Sequence, residues 1–163
     1  MNALLLCGAL AACNAAPPPP KAPPAGYAFP ALTGRVVDSA DLLPQTQEAK
    51  LSAQLASVQM RTKHEFIVVT VPSLGGHSIE DYGLTLGNYW GIGRKGFDDG
   101  VLLIVAPNER KVRIEVGKGL EKTLTNPEAG AIIQAAILPR FREQKMVEGV
   151  LAGGEGIIRE ISS

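Results

Sequence analysis

The chain contains few cysteine, histidine and aromatic residues, and each shortage limits the structures or functions that the chain can have. Both cysteines, Cys7 and Cys13, lie in the first thirteen residues, so the rest of the chain has no disulfide, thiolate nucleophile or cysteine-based metal site. The two histidines, His64 and His77, are far apart in sequence, and we interpret each as a surface residue rather than a ligand. Aromatic residues are only 5% of a chain that is 45% hydrophobic, which favours an aliphatic α/β core.

The chain also has no excess charge, because its 16 basic residues balance its 16 acidic ones. No broad positive field is therefore available to attract nucleic acid. No Gly-x-Gly-x-x-Gly follows a predicted strand, and no Gly-x-x-x-x-Gly-Lys-Ser/Thr is present, so a nucleotide loop is not predicted. No serine lies in a sequence motif that would pair it with a histidine and an acid as in a catalytic triad. The length of 163 residues leaves room for one domain once a tail is set aside.

The N-terminus combines a short apolar segment with a cysteine. Residues 3–12 are apolar over about 10 positions, far fewer than the ~20 of a membrane-spanning helix. This length suits the apolar region of a secretion signal. Residues 10–13 read Leu-Ala-Ala-Cys and resemble a bacterial lipobox, which implies a signal peptide at 1–12 and acylation of Cys13. The alternatives are a plain cleaved signal peptide or an apolar tail.

Prolines dominate the segment that follows. Consecutive prolines fix φ and remove donors, so we expect residues 13–31 to be a lipidated cysteine followed by an extended spacer, with the domain at 32–163. Such a tether would place the domain in the cell envelope, facing the periplasm. Because Asn14 follows the cysteine in place of the aspartate typical of inner-membrane retention, the outer membrane is favoured.

Hydrophobic periodicity alternates between the periods of strands and helices. It predicts a strand at 35–37, a helix at 44–63, a strand at 65–71, a helix from 78, strands at 100–106 and 111–116, and two C-terminal helices. The uninterrupted apolar run at 101–106 indicates a strand that is buried on both faces. Strands 65–71 and 100–106 should be parallel, with a right-handed crossover. This order predicts a three-layer α/β/α sandwich around a mixed sheet of about four strands.

Four short motifs occur in order within this pattern. They are Val37-Asp38-x-Ala40-x-Leu42-Leu43, Trp90-x-Ile92-Gly93, Asp98-Asp99-Gly100 and Gly117-x-Gly119-Leu120-Glu121. Together they resemble the TPM domain family, named after a thylakoid lumen protein, a photosystem repair factor and an acetylcholine-receptor modulator. The resemblance covers roughly residues 32–161 and implies a Rossmann-like α/β/α sandwich. Lys118 stands where the family usually has tyrosine.

Acidic residues within the motifs are the candidate site. Asp98 and Asp99 are neighbouring carboxylates whose repulsion a hard cation would offset, and oxygen ligands favour Ca²⁺ or Mg²⁺. The resemblance implies a metal site, and its motif positions here are Asp38, Asp98, Asp99 and Glu121. If the fold brings these loops together, the acids line one pocket. The alternative is that Asp-Asp-Gly is a solvated turn and that Asp38 caps a helix.

Two functions remain open. The first is a membrane-tethered envelope module that binds a divalent cation and a partner membrane protein, and assists the assembly, repair or regulation of membrane proteins. The second is a metal-assisted acid phosphatase acting on phosphomonoesters, an activity that the resemblance implies. In the second case Arg113 would hold the phosphate; it could also contact a partner. The alternative for Arg113 is a surface ion pair with Glu115.

Overall fold

A computed structural model describes residues 22–163 of the chain. The predicted signal peptide, the lipidation site Cys13 and the spacer as far as residue 21 lie outside the described residues. The helices and strands are β1 (Val36–Asp38), α1 (Gln45–Thr62), β2 (Glu65–Thr70), α2 (Ile79–Trp90), β3 (Gly100–Ala106), β4 (Lys111–Val116), a 3₁₀ turn (Lys118–Leu120), α3 (Asn126–Ile132), a π-helical turn (Ile133–Ile137), α4 (Leu138–Arg142) and α5 (Met146–Ile161).

The four strands form one mixed sheet in the order β1-β2-β3-β4. β1, β2 and β3 are parallel, whereas β4 returns antiparallel to β3. All seven residues of β3 are buried, because β3 has a strand on each side and helices over both faces. The predicted α/β sandwich and the predicted parallel pairing of β2 with β3 are therefore confirmed.

The two faces of the sheet are covered unequally. On one face, α1, α3 and α5 enclose the larger core, into which Leu51, Leu55 and Val58 of α1 project as their helical spacing predicted. On the other face, α2 supplies the helical residues of a smaller core that includes Tyr82 and Leu86. The α2 side of the domain is therefore the thinner layer.

Helix starts follow the capping signals of the sequence. Ser78 precedes α2, and its hydroxyl accepts a hydrogen bond from the Asp81 N–H at 3.0 Å. Thr125 and Glu128 form a reciprocal capping box at the start of α3, which satisfies two helix-terminal donors. Both predicted helix starts are therefore confirmed.

The predicted helix that starts after Thr125 is interrupted. It runs as α3, the π-helical turn and then α4, where the Leu138 N–H donates to the Ile133 carbonyl five residues back. Pro139 follows directly and has no N–H to donate. A wider turn before the proline keeps the chain helical, which the hydrophobic pattern alone does not reveal.

The packed part of the chain begins before residue 32, where we expected the domain to start. Residues 26–30, which we call the N-terminal strap, lie along α2. The Tyr82 hydroxyl donates to the Ala28 carbonyl at 3.4 Å, and the Trp90 Nε1–H donates to the Pro30 carbonyl at 3.2 Å. Tyr27 and Phe29 pack against the smaller core. Residues 26–30 thus contact the domain although they precede the start predicted at residue 32, because aromatic side chains anchor the strap.

Candidate functional site

The sheet topology separates the predicted acids. The ends of β1, β2 and β3 define two edges of the sheet: the carboxyl edge, where Asp38 pairs with Thr70, and the amino edge, where β2 starts at Glu65. Asp98 and Asp99 precede β3 at the amino edge, and the Glu65 N–H donates to the Asp99 carbonyl at 3.2 Å. The five steps from Glu65 to Thr70 span about 16 Å at ~3.3 Å per residue.

The expectation that all four acids converge is therefore wrong. Asp38 lies at the carboxyl edge, whereas Asp98, Asp99 and Glu121 belong to loops at the amino edge. An ion held at ~2.3–2.6 Å from its oxygens cannot bridge the length of a strand. Sequence reasoning missed the separation because each motif was placed in a loop without regard to which end of its strand that loop followed.

Asp38 fixes the turn that leads from β1 toward α1. Its carboxylate oxygens accept hydrogen bonds from the backbone N–H groups of Leu42 at 3.1 Å and Leu43 at 2.7 Å. The Thr70 hydroxyl donates to the same carboxylate, and the Ala40 N–H donates to that hydroxyl at 3.0 Å. These contacts explain the first motif as a structural turn, and they occupy both oxygens of Asp38.

Asp99 is buried and neutralised by a neighbouring arginine. One oxygen accepts from the Arg94 N–H at 2.8 Å, and the other accepts from Arg94 Nε at 2.7 Å and lies 2.6 Å from Nη2. His64 Nδ1 lies 3.4 Å from the same oxygen. Burial by itself raises the pKa of Asp99, but the hydrogen bonds from Arg94 and His64 and the Arg94 charge outweigh it, so the net pKa lies below the ordinary 3.8. The carboxylate is thus already compensated without a metal.

Arg94 is also held from its other side. Its guanidinium carbon lies 4.2 Å from the centroid of the exposed Phe97 ring, in a cation–π arrangement. Sequence reasoning missed Arg94, although its place between Gly93 and Gly96 in a tight loop five residues before Asp99 was a usable signal. The Arg94–Asp99 pair shapes the loop before β3.

The Gly-x-Gly motif brings two loops into backbone contact. A Cβ at Gly117 would lie 2.1 Å from the Asp98 carbonyl oxygen, and one at Gly119 would lie 1.8 Å from that of Phe97. The Gly119 N–H donates to the Asp98 carbonyl at 3.1 Å. Any side chain at either glycine would therefore force the loops apart. The motif is explained by this close approach and needs no phosphate ligand.

Gly93 and Gly100 allow a second close backbone contact in the same loops. Gly93 has a φ of +96°, and a Cβ there would lie 2.8 Å from the Gly100 nitrogen. The Gly93 N–H donates to the Glu65 carboxylate at 2.8 Å. Three of the four motifs thus meet in one closely packed assembly, the motif loops, made of residues 91–99 and 117–121.

Two of the predicted acids remain available to solvent. Asp98 is exposed, adopts the left-handed region with a φ of 50°, and makes no side-chain hydrogen bond or ion pair with any described residue. Glu121 is likewise exposed and without such a contact in the described part of the chain. Both belong to the motif loops, so they lie on the same side of the domain.

A cleft opens beside the motif loops, between α2 and the sheet. Its volume is ≈ 230 Å³. It is lined by Leu84, Gly87 and Asn88 of α2, by Ile92 and Asp98, by residues 100–102 of β3 and by residues 115–118 at the end of β4. Apolar groups form much of the wall, and Leu84 is 54% exposed. Polar side chains of Asn88, Asp98, Glu115 and Lys118 surround them.

Arg113 already has a partner at the cleft. Its Nε donates to Glu115 Oε2 at 2.6 Å, and both side chains are partly exposed. Gly83 of α2 lies directly above this pair, since a Cβ there would come within 3.6 Å of both side chains. The pairing matches the ion-pair alternative of the sequence analysis, and a phosphate at Arg113 would have to compete with Glu115.

The described residues do not fit the four-acid metal site. Nowhere between residues 22 and 163 do three or more His, Cys, Asp or Glu side chains lie close enough to share an ion. Calcium takes six to eight oxygen ligands in proteins, so Asp98 and Glu121 would need backbone carbonyls and water to complete a site. Any cation at the motif loops is therefore held by few protein charges.

Comparison with known proteins places this architecture in a family. The model of the TPM domain matches residues 36–160. The chain belongs to the TPM domain family. The match contains all four motifs, so the motif loops and the cleft are features of a TPM domain. No curated protein sequence matches the chain.

Three solved structures resemble this TPM domain. The N-terminal domain of a protein from P. gingivalis, solved by NMR in solution, is 34% identical, with a TM-score of 0.74, over 79% of this chain and 82% of that chain. An N-terminal domain from Corynebacterium glutamicum is 19% identical, with a TM-score of 0.62, over 83% and 86%. A protein from the psychrophilic bacterium Bizionia argentinensis is 16% identical, with a TM-score of 0.64, over 75% and 83%. The last two show the fold alone.

Proposed function

We propose that this TPM domain is a non-catalytic binding module, tethered to a membrane of the cell envelope through acylated Cys13. The cleft beside the motif loops would be its contact site for a partner membrane protein. In this role the domain assists the assembly, repair or regulation of that partner. None of the described helices is both long and apolar enough to cross a membrane. In this proposal the acyl chains on Cys13 attach the domain to the membrane.

The anatomy of the cleft is the observation that supports this proposal. An apolar wall containing the exposed Leu84 is surrounded by polar and charged groups, which is the arrangement of a protein-binding surface. Phe97 is 60% exposed on the adjacent motif loop and adds an aromatic side chain of the kind enriched at interfaces. The glycine contacts hold this surface in one shape, which lowers the entropic cost of binding.

A matched pair of substitutions tests the partner site. Leu84→Glu places a charge on the wall of the cleft, whereas Met60→Glu makes the same change at a 70% exposed position on α1, in the opposite layer. We expect affinity capture from detergent-solubilised envelope to recover one membrane protein with the wild type and with Met60→Glu, but not with Leu84→Glu. Equal recovery by both variants would contradict the proposed site.

In this proposal a cation binds only at Asp98 and Glu121, the two predicted acids whose carboxylates have no partner in the described part of the chain. Calcium that binds the folded state should raise the Tm of the wild type. The rise should be lost in Asp98→Asn, because asparagine tolerates the left-handed conformation but supplies no charge. Asp41→Asn is the control, since Asp41 is exposed and also has a φ of 50°. An equal calcium-induced rise in Tm in both variants would show that Asp98 does not bind the cation.

The alternative, a metal-assisted phosphatase, has weaker support. Among the described residues, Asp38 and Asp99 are hydrogen-bonded and Arg113 is paired with Glu115, so three of the groups predicted to hold the metal or the phosphate are already occupied. Steady turnover of a phosphomonoester that Asp98→Asn abolishes would favour this alternative over the binding module. Turnover that survives this substitution would point to a contaminating enzyme.

A further inference from the structure

The strand β4 leaves one edge of the sheet unpaired. Among residues 22–163, β3 is the one strand that pairs with β4. The Gly117 N–H donates to the carbonyl of Gly100, directly opposite, at 2.8 Å, and such bonds recur at alternate residues of an antiparallel pair. The backbone groups of Val112, Ile114 and Val116 therefore point away from β3. No hydrogen bond joins these groups to another residue in the described part of the chain.

The unpaired edge opens into a hollow at each of its ends. A groove of ≈ 380 Å³ lies at the start of β4, between α2 and the π-helical turn, and Val112 lines it. The cleft described above lies at the other end, where Glu115 and Val116 line it. Natural proteins usually shorten, cover or pair an exposed strand edge. This edge is six residues long and lies between two helical layers, so it has the position of a strand that accepts another strand.

The two faces of β4 carry different side chains beside this edge. Val112, Ile114 and Val116 are β-branched and lie on the face of the larger core. Arg113 and Glu115 lie on the face toward α2, where both approach Gly83. Their ion pair joins Nε to Oε2, so the Nη groups of the arginine and Oε1 of the glutamate make no hydrogen bond within residues 22–163. Two opposite charges with unused hydrogen-bonding capacity thus border the open edge.

A second copy of β4 complements this pattern when it runs antiparallel and Ile114 faces its own copy. The outward backbone groups then form hydrogen-bonded pairs, in which Val112 lies opposite the second copy's Val116. Each Arg113 faces the second copy's Glu115. Opposite charges and β-branched side chains are favourable cross-strand neighbours. A shift of two residues in either direction would place Arg113 against Arg113 or Glu115 against Glu115, and would leave fewer backbone groups paired.

We propose that two copies of this domain associate through β4 in this register and join their four-stranded sheets into one. The contact is isologous, because the same strand serves both copies. Its two-fold axis is perpendicular to the sheet, so both α2 helices and both N-terminal straps lie on one face of the joined sheet. If the chain is tethered as proposed above, both tethers leave from that face and can reach the same membrane. The association itself requires neither the lipid nor a partner at the cleft.

Charge exchange between copies tests this register. Arg113→Glu leaves two acids on the strand and Glu115→Arg leaves two bases, so each variant alone places like charges opposite each other at the contact. An equal mixture of the two variants places acids opposite bases again, although neither chain regains its internal ion pair. Lys111→Glu is the matched control on the same face of β4, because Lys111 faces the second copy's Gly117, which has no side chain.

The measurement is sedimentation velocity on residues 13–163 with Cys13→Ser. This chain keeps every described residue, and it lacks both the apolar segment 3–12 and an acyl chain, either of which could drive association by itself. Concentrations up to about 1 mM reveal even a weak dimer. Circular dichroism reports whether each variant is folded.

We expect the wild type and Lys111→Glu to be dimeric, Arg113→Glu and Glu115→Arg to be monomeric alone, and their mixture to form a heterodimer. A monomeric wild type would overturn the proposal, and so would dimers of either charge variant alone or a mixture that stays monomeric. If a charge variant does not fold, the wild type and Lys111→Glu still decide, because a monomer in either case contradicts this register. Sedimentation needs no partner protein, so these outcomes are independent of the capture experiment at Leu84.

Discussion

At the scale of single residues, four similar carboxylates have different roles. Asp38 caps a turn, Asp99 is an internal counter-ion to Arg94, and Asp98 and Glu121 have no side-chain partner among residues 22–163. Sequence alone identified them as motif acids but could not distinguish these roles. The distinction depends on partners that are distant in sequence or were not recognised, such as Thr70, 32 residues from Asp38.

Asp99→Asn should lower the free energy of unfolding by about 1–3 kcal/mol at neutral pH, because a buried, charge-assisted hydrogen-bond pair is lost. The pKa of Asp99 is lowered in the folded state, so its contribution is complete above the ordinary carboxyl pKa and is lost as pH falls through the folded value. Urea denaturation from about pH 7 to below pH 4 measures both effects. The difference between wild type and Asp99→Asn should shrink with acid, and a constant difference would contradict this role.

Gly119→Ala should destabilise the domain by at least about 2 kcal/mol, because its Cβ would overlap the Phe97 carbonyl oxygen and the motif loops would have to separate. Gly130→Ala in α3 is the control, since a Cβ there meets nothing within 4 Å and alanine favours helix. Thermal or urea unfolding of both variants measures the difference. Equal stabilities would mean that the motif loops adapt easily.

At the scale of elements, the sequence predicts a helix or strand well wherever a single local signal determines it. Strand and helix periods located the four described strands and the helices α1 and α2, and Ser78 and Thr125 marked two helix starts. Elements that depend on distant contacts were missed. The strap has a coil-like composition and docks only because α2 offers aromatic partners, and the π-helical turn responds to Pro139.

The glycines of α5 also show that distant contacts cannot be read from the sequence. Glycine weakens an isolated helix but permits close packing. A Cβ at Gly153 would lie 2.5 Å from the buried Ile137 side chain, whereas one at Gly154 would make an ordinary 3.6 Å contact with Leu51. Gly153→Ala should therefore destabilise by about 1–2 kcal/mol, and Gly154→Ala should stabilise by about 0.5–1 kcal/mol. Chemical denaturation of the Gly153→Ala and Gly154→Ala variants measures both changes in the free energy of unfolding. Two changes of the same sign would contradict this explanation.

At the scale of the whole molecule, the Asp38 turn and the proposed binding site lie at opposite ends of the strands. Ligands of open α/β sheets usually bind at the carboxyl ends of the strands. Here Asp38 is used structurally at the carboxyl edge, while the motif loops and the cleft lie at the amino edge. The fold class could be predicted from the order of elements. The position of the cleft could not, because it depends on how closely Gly83 and Gly87 bring α2 to the sheet.

The central claim is that this TPM domain binds a partner protein through the cleft. Photo-cross-linking in intact envelope tests it most directly, with the photoreactive group placed in turn at Leu84 in the cleft and at Met60 on α1. Both positions are exposed and helical, and they lie in opposite layers of the sandwich. The claim predicts one discrete cross-linked membrane protein from position 84 and none from position 60. The same adducts from both positions, or none from position 84, would contradict it.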